Sequence, residues 1–207
     1  LARSEEGFTS VLPIFMLMRQ VCVMPSLATS LLKRRAIKRR LDLPPFTIVE
    51  PSTNSKISAV VNQVVANRNT RKKKLIFCQF RKEIREIQKR LSDHGMPASI
   101  MDGSTSKTER KMVLQSPLKQ TDWDDILMSK RFYKHTHTIG GLVNEFLTPN
   151  VLIVQIQTAC EGLNLQHFAE VYFTTPHWNP AVEDQAVART HRIGQKQPVD
   201  VYRFITH

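Results

Sequence analysis

From Lys74 onward the chain alternates short apolar runs with segments whose apolar residues recur at helical spacing. Leu75–Gln79, Ala98–Met101, Val151–Ile156, Val171–Thr175 and Val199–Ile205 have strand length and are largely apolar on both faces, as strands covered on both sides must be. Between the first two, Arg81–His94 sets Ile84, Ile87 and Leu91 along one helical stripe, and Gly95 stands where that helix should end. Ser106–Glu109 (SKTE) is a capping-box signature that opens a further helix. Strands alternating with helices predict an α/β domain, a parallel sheet with helices on both faces. Lys119–Phe146, with Trp123, Phe132, Tyr133 and two histidines, fits no strand and reads as an insertion of mostly helical character.

Composition narrows the class. With 207 residues, 41% apolar and only 7 Gly, the chain has material for one cored domain with elaborations, and wholesale disorder is excluded. Its 30 Lys+Arg against 18 Asp+Glu give a net charge of +12, which favours a polyanionic partner. The charge is clustered in Lys33–Arg40 (KRRAIKRR) and Arg68–Lys74 (RNTRKKK), separated by the linker-like Leu43–Ser55. KRRAIKRR reads equally as a nuclear-localisation signal, a solvated face or a phosphate-contacting helix. No apolar run is long enough to span a bilayer, and Val11–Met24 carries Arg19 and lacks a signal-peptide cleavage site. Cys22, Cys78 and Cys160 sit in apolar contexts without metal-ligand spacing, so reduced core residues of an intracellular protein are expected, with no metal site. The first residue is Leu1 rather than Met, and a fragment of a longer polypeptide is expected.

The densest chemistry lies in Asn179–Gln195, NPAVEDQAVARTHRIGQ. Asn179 is a good N-cap, Pro180 suits the first helical position, Glu183 and Asp184 complement the dipole, and Gly194 is placed to terminate the helix. On one continuous helix Gln185, Arg189 and Arg192 would lie within about 60° of one another. Two guanidinium forks and an amide on one face suit a transferring phosphoryl group. Arginines near a helix C-terminus that merely satisfy the dipole and solvent are an equal reading on spacing alone.

The words themselves are more specific. QAVARTHRIGQ closely resembles motif VI of the Swi/Snf-like ATPases, the DNA-translocating branch of superfamily two helicases. Phe15–Pro25 resembles the "LRQ…P" helix that closes the first motor lobe, and Ser55-Lys56-Ile57 the "SSK" entry to the second. Lys74–Phe80 is similar to motif IV, Asp102–Ser106 with Arg110 to the "DGST…R" element, Glu161–Leu165 to the end of motif V, and Trp178–Pro180 to "WNP". These seven motifs, in order, carry a resemblance that covers roughly Val11 to Ile205.

The resemblance implies a RecA-like helicase C-terminal lobe over 51–207, with an insertion at about 119–147. Residues 1–50 would then be the end of the first-lobe closing helix and a basic linker. It implies ATP, with Mg, held mainly by a first lobe, since the chain has neither a phosphate-loop lysine motif nor an acidic metal-binding motif. Arg189 and Arg192 match the finger arginines, with Gln185, Gly162 and Asn164 as companions at the nucleotide. Gln79, Phe80, Gly103, Ser104, Thr105, Thr158 and Trp178 match positions that face double-stranded DNA. Against the phosphate role of Gly103, Ser104 and Thr105 the rival reading is that Ser106 and its neighbours only cap the helix, and for Trp178 it is a core position. The implied partners are duplex DNA, the first lobe and a protein docked on the 119–147 insertion, in a nucleus or other DNA-containing compartment, with no membrane. The isolated lobe is expected to be inactive. An alternative keeps the fold but drops the motor, leaving a basic nucleic-acid-binding module; intact Gln185, Arg189 and Arg192 count against it. A Rossmann-like dinucleotide enzyme would need a glycine-rich loop where Gln79–Lys82 stands. Two departures from the family stand out. Ala159-Cys160-Glu161 replaces the usual glycine pair of motif V, and the Arg110–Val151 gap is about twice the expected length.

Overall fold

The computed structural model describes residues 14–28, 55–114, 150–159 and 162–205. Two short helices, α1 (residues 14–23) and α2 (residues 25–28), come first. Next come α3 (Ser55–Ala66), a 3-10 turn (Asn67–Asn69), β1 (Lys73–Cys78), α4 (Arg81–Asp93), β2 (Ser99–Met101) and α5 (Lys107–Leu114). The remainder is β3 (Val151–Gln155), α6 (Ile156–Ala159), β4 (Phe168–Phe173), α7 (Pro180–Thr190) and β5 (Asp200–Arg203). The strands form one parallel sheet in the order β2-β3-β1-β4-β5.

Because side chains alternate along a strand, the central strands feed two cores. Ile76, Cys78, Ile153 and Tyr172 pack on one face with Val60 and Val64 of α3 and Ile84, Ile87 and Leu91 of α4. Val23, Met24 and Leu27 of the N-terminal helices join this core. Leu75, Phe77, Leu152, Val154 and Phe173 pack on the other, against Val113 of α5 and Ala186 of α7. The chain thus has helices on both faces of a parallel sheet, the RecA-like helicase arrangement.

One ionic cluster lies inside this sheet. Lys74 and Glu170 are paired in register across β1 and β4, with their charged groups 3.3 Å apart and side chains 3% and 1% exposed. Glu170 also accepts from Tyr172 Oη, which accepts from Asn67. Lys74 donates to the Thr70 hydroxyl at 2.9 Å, and that oxygen lies 2.5 Å from Glu170 Oε1. A buried charge pair survives only when its other lone pairs and protons are satisfied in this way.

The helices begin where the sequence says. Ser106 Oγ accepts from Glu109 N while Glu109 returns to Ser106 N, the expected reciprocal cap of α5. Asn179 Oδ1 accepts from Ala181 N and Pro180 is the first residue of α7. α4 ends at Asp93, with Gly95 just beyond at φ +70°.

Several expectations are corrected. α7 stops at Thr190, not near Gly194: the Thr190 hydroxyl bonds back to Val187 O, and His191 N closes onto the same carbonyl. Gly194 instead serves the next turn, at φ +104°, a conformation that a side chain would strain. Arg192 therefore lies beyond the helix, so the single-helix face of Gln185, Arg189 and Arg192 is not formed. β4 spans Phe168–Phe173 rather than Val171–Thr175, because the cross-strand partner Lys74 lets the charged Glu170 sit in the sheet. Cys78 is buried as expected, but Cys22 is exposed on α1 rather than in the core. KRRAIKRR, the body of the Leu43–Ser55 linker, Cys160, Glu161 and the 119–147 insertion lie outside the described residues.

Candidate nucleotide and nucleic-acid interface

In a parallel sheet all strands end at one edge, so the loops after β1, β2, β3 and β4 meet there. Asp102 Oδ1 accepts from both Ser104 N (2.8 Å) and Ser104 Oγ (2.6 Å), and Thr105 Oγ1 accepts from Asp102 N. Gly103 is left at the tip, exposed, and its N–H points to Gln155 Oε1 at 3.4 Å. Gln155 Nε2 in turn donates to Gln79 O at 3.3 Å. One side chain thus links the loops after β1 and β2, while Arg81 adds an ion pair to Asp102 at 3.5 Å. Gln155 escaped the sequence reading: it is the polar end of an apolar run, and only the pairing of β3 between β1 and β2 gives it this place.

Gln79 is held from above as well. Arg19 of α1 donates to Gln79 Oε1 at 2.6 Å and reaches Pro176 O at 3.5 Å. Below it, Glu83 Oε2 accepts from Gln79 N and Phe80 N, fixing the start of α4, while Phe80 is half-buried against the core. Burial raises the Glu83 carboxyl above its ordinary range, and the same desolvation lowers the Lys56 amine, partly offset by the charges of Glu83 and Cys22. Burial also lowers the Arg19 guanidinium from its usual value.

The β4–α7 loop projects Trp178 into solvent at 76% exposure, which excludes the core reading of this tryptophan. The buried Glu183 carboxylate anchors that loop, accepting from His177 N at 2.7 Å and from Arg203 Nε of β5 at 2.8 Å. The Arg203 guanidinium also stands over the Phe173 ring, 5.6 Å from its centroid. Thr158 departs from expectation: it lies in α6 rather than at a strand end, and at 2% exposure its side chain faces the interior.

A second group gathers at the far end of α7. Leu165 N donates to Arg189 O at 3.1 Å, and Gln195 Nε2 donates to Gln166 O at 2.8 Å. These bonds bind the Gly162–Gln166 segment to the Arg189–Gln195 segment. Gly162 adopts φ +83° and is exposed, Asn164 turns its carboxamide onto Gln166 N, and Arg192 and Gln185 are exposed while Arg189 is half-buried. The eleven residues of α7, rising about 1.5 Å each, set its two ends ~16 Å apart, with Gln185 midway between the Trp178 loop and the Arg189–Gln195 segment. Guanidinium groups such as those of Arg189 and Arg192 suit a polyphosphate. Among the described residues no group of three or more His, Cys, Asp or Glu could hold a metal, and no helix is long and apolar enough to cross a membrane.

Comparison with known proteins places this arrangement. Residues 55–132 match the helicase conserved C-terminal domain. A putative SWI/SNF-related matrix-associated actin-dependent regulator of chromatin subfamily A member 3-like 1 from Arabidopsis thaliana is 34% identical over 73% of this chain and 15% of its own length. DNA repair protein RAD5A of the same plant is 30% identical over 73% of this chain and 12% of its own. The human helicase-like transcription factor is 28% identical over 76% and 13%. The chain therefore spans only 12–15% of the length of these relatives. The C-terminal part of the Fun30 ATPase domain shares the fold, with a TM-score of 0.53 at 20% identity over 86% of this chain and 50% of that one. The chain is a superfamily two helicase C-terminal domain, homologous to the SWI/SNF-related and RAD5-type chromatin-remodelling ATPases.

Proposed function

We propose that this chain is the second motor lobe of an ATP-driven translocase on double-stranded DNA, one that remodels nucleoprotein rather than separating strands. The observation that carries the reading is α7, whose two ends lie with the two groups of candidate residues. At its start the Trp178 loop adjoins the strand-end loops of Gln79, Phe80 and Gly103–Thr105, which would meet the phosphate backbone of the tracked strand. At its end Arg189 and Arg192, with Gln185 and the Gly162–Asn164 turn, would face the γ-phosphate of ATP seated on a first lobe. A rigid rod between two ligands is a direct way for one site to feel the other.

In this reading residues 51–207 form the lobe, and 1–50 belong to the end of the first-lobe closing helix and a basic linker. Mg-ATP is held mainly by the first lobe; this lobe contributes cationic donors aimed at the charge that develops on the transferred phosphoryl group. A lobe without the phosphate cradle is not expected to turn over ATP alone. The nucleus fits the relatives' chromatin and DNA-repair designations. The test is ATP turnover by a polypeptide carrying both lobes, with and without duplex. Stimulation by duplex is the expected result; turnover indifferent to duplex overturns the motor and leaves a basic binding module.

A further inference from the structure

We infer that the outward face of α4 is a second phosphate-contacting surface, which continues the duplex path away from the Gly103 loop. The inference rests on the DNA-tracking reading above and extends it to residues outside every motif so far used. Arg81, Lys82, Arg85 and Lys89 are all exposed on this helix, and at about 100° per residue they fall within a ~100° arc. The opposite face is the one that Ile84, Ile87 and Leu91 bury in the core.

Charge on α4 is sorted as well as exposed. Of its acidic residues, Glu83 is buried beneath the β1 loop, and Glu86 is engaged by Arg90 at 2.7 Å. Asp93, exposed at the far end, is the remaining acid of the helix. Among the described residues, Arg85 and Lys89 form no ion pair. With Glu83 turned inward and Glu86 paired, the helix presents Arg85 and Lys89 to whatever lies outside, and Asp93, four residues after Lys89, adds its one exposed carboxylate only at the far end.

Position then selects the partner. The helix starts at the strand-end edge, where Arg81 touches Asp102 of the Gly103 loop. From there Arg85 and Lys89 follow at successive steps of about 6 Å along the axis. Phosphates on one strand rise only ~3.4 Å along the duplex axis, but the strand runs obliquely to that axis and neighbouring phosphates lie on the order of 6–7 Å apart, so such steps match neighbouring phosphates of a strand laid along the face. An acidic helix could offer carboxylates at the same step, so it is continuity with the Gly103 loop, through the Arg81–Asp102 pair, that favours the nucleic-acid backbone.

The experiment measures binding of a fluorescent duplex to the full chain by anisotropy over a series of salt concentrations. The variants are Arg85→Ala/Lys89→Ala and, as a second pair, Arg85→Gln/Lys89→Gln. Both substitutions are on the surface, and thermal melting of each pair checks that the fold is kept. If both residues contact phosphates, the slope of log K against log salt becomes shallower by about 1.8 in each pair, and affinity falls at every salt concentration. Wild-type binding with an unchanged slope in both pairs overturns the inference and leaves the DNA reading standing. No binding by the wild-type chain fells the DNA reading itself. Loss of binding to a poly-glutamate peptide equal to the loss for duplex overturns the assignment to nucleic acid.

Discussion

Glu183 carries the tightest quantitative prediction, because its two oxygens serve partners of different exposure. One accepts from His177 N, a part-buried main-chain donor; the other accepts from Arg203, whose side chain is 43% exposed. Truncation to Ala removes both. The stranded N–H costs about 1–3 kcal/mol, because little water can replace the lost acceptor. Arg203 can turn to solvent, so the ion pair adds at most about 1 kcal/mol after screening. The sum is about 1–4 kcal/mol, and at about 2–4 °C per kcal/mol for a chain of this size the melting temperature should fall by about 2–16 °C. Glu183→Gln keeps an acceptor for His177 and loses only the charge, so its loss should be about 1 kcal/mol, or about 2–4 °C. Thermal melting of both variants decides the matter. Equal losses in the two would refute the assignment of most of the energy to the His177 bond. The same bond fixes the loop that projects Trp178, so Glu183→Ala should also weaken duplex binding more than Glu183→Gln does.

Further predictions follow from the same reasoning. Trp178→Ala should leave the melting temperature within about 2 °C, since so exposed a ring gives up little on truncation, yet lower duplex affinity by anisotropy; a large drop in melting temperature would return the ring to a packing role. Lys74→Met strands the buried Glu170 carboxylate and should cost about 3–5 kcal/mol in chemical denaturation, whereas a loss below about 1 kcal/mol would show the pair to be dispensable. Burial raises Glu83 in the native state, which therefore holds a proton that the unfolded chain has released. Stability should thus decline as pH climbs from the ordinary glutamate value through the raised native one, and Glu83→Gln should flatten that slope in denaturation midpoints measured over about pH 4–8. Iodoacetamide on the native protein should modify exposed Cys22 and spare Cys78, whose thiol is buried and pushed well above its ordinary value; peptide mass spectrometry reads both.

What the sequence could and could not reveal follows one physical line. The β1 and β3 runs and the α4 stripe were legible because burial on both faces of a sheet, or on one face of a helix, writes a period into the chain. Caps were legible because Ser106–Glu109 and Asn179-Pro180 act within a few residues of themselves. The start of β4 was hidden because Glu170 looks like a surface residue until Lys74 is known to sit beside it. The end of α7 was hidden because Gly194 advertises a stop, while the stop is made earlier by a threonine hydroxyl bonding back to Val187. Within the candidate site, residues that belong to motifs were readable. The bonds that Arg19, Gln155 and Glu183 make there were not, because their partners are 60, 52 or more, and up to 20 positions away along the chain. Long-range side-chain bonds leave no local pattern.

Whether this lobe supplies arginines to a nucleotide while it grips duplex is tested by Arg192→Ala in a polypeptide carrying both lobes. Duplex-stimulated ATP turnover and duplex binding are measured side by side for the wild type and the variant. Turnover should fall by about 10³–10⁵ while duplex affinity is kept, as expected for a finger that acts on the transition state. Turnover that survives the substitution would contradict the finger assignment, and turnover lost together with duplex binding would reassign Arg192 to the nucleic-acid surface.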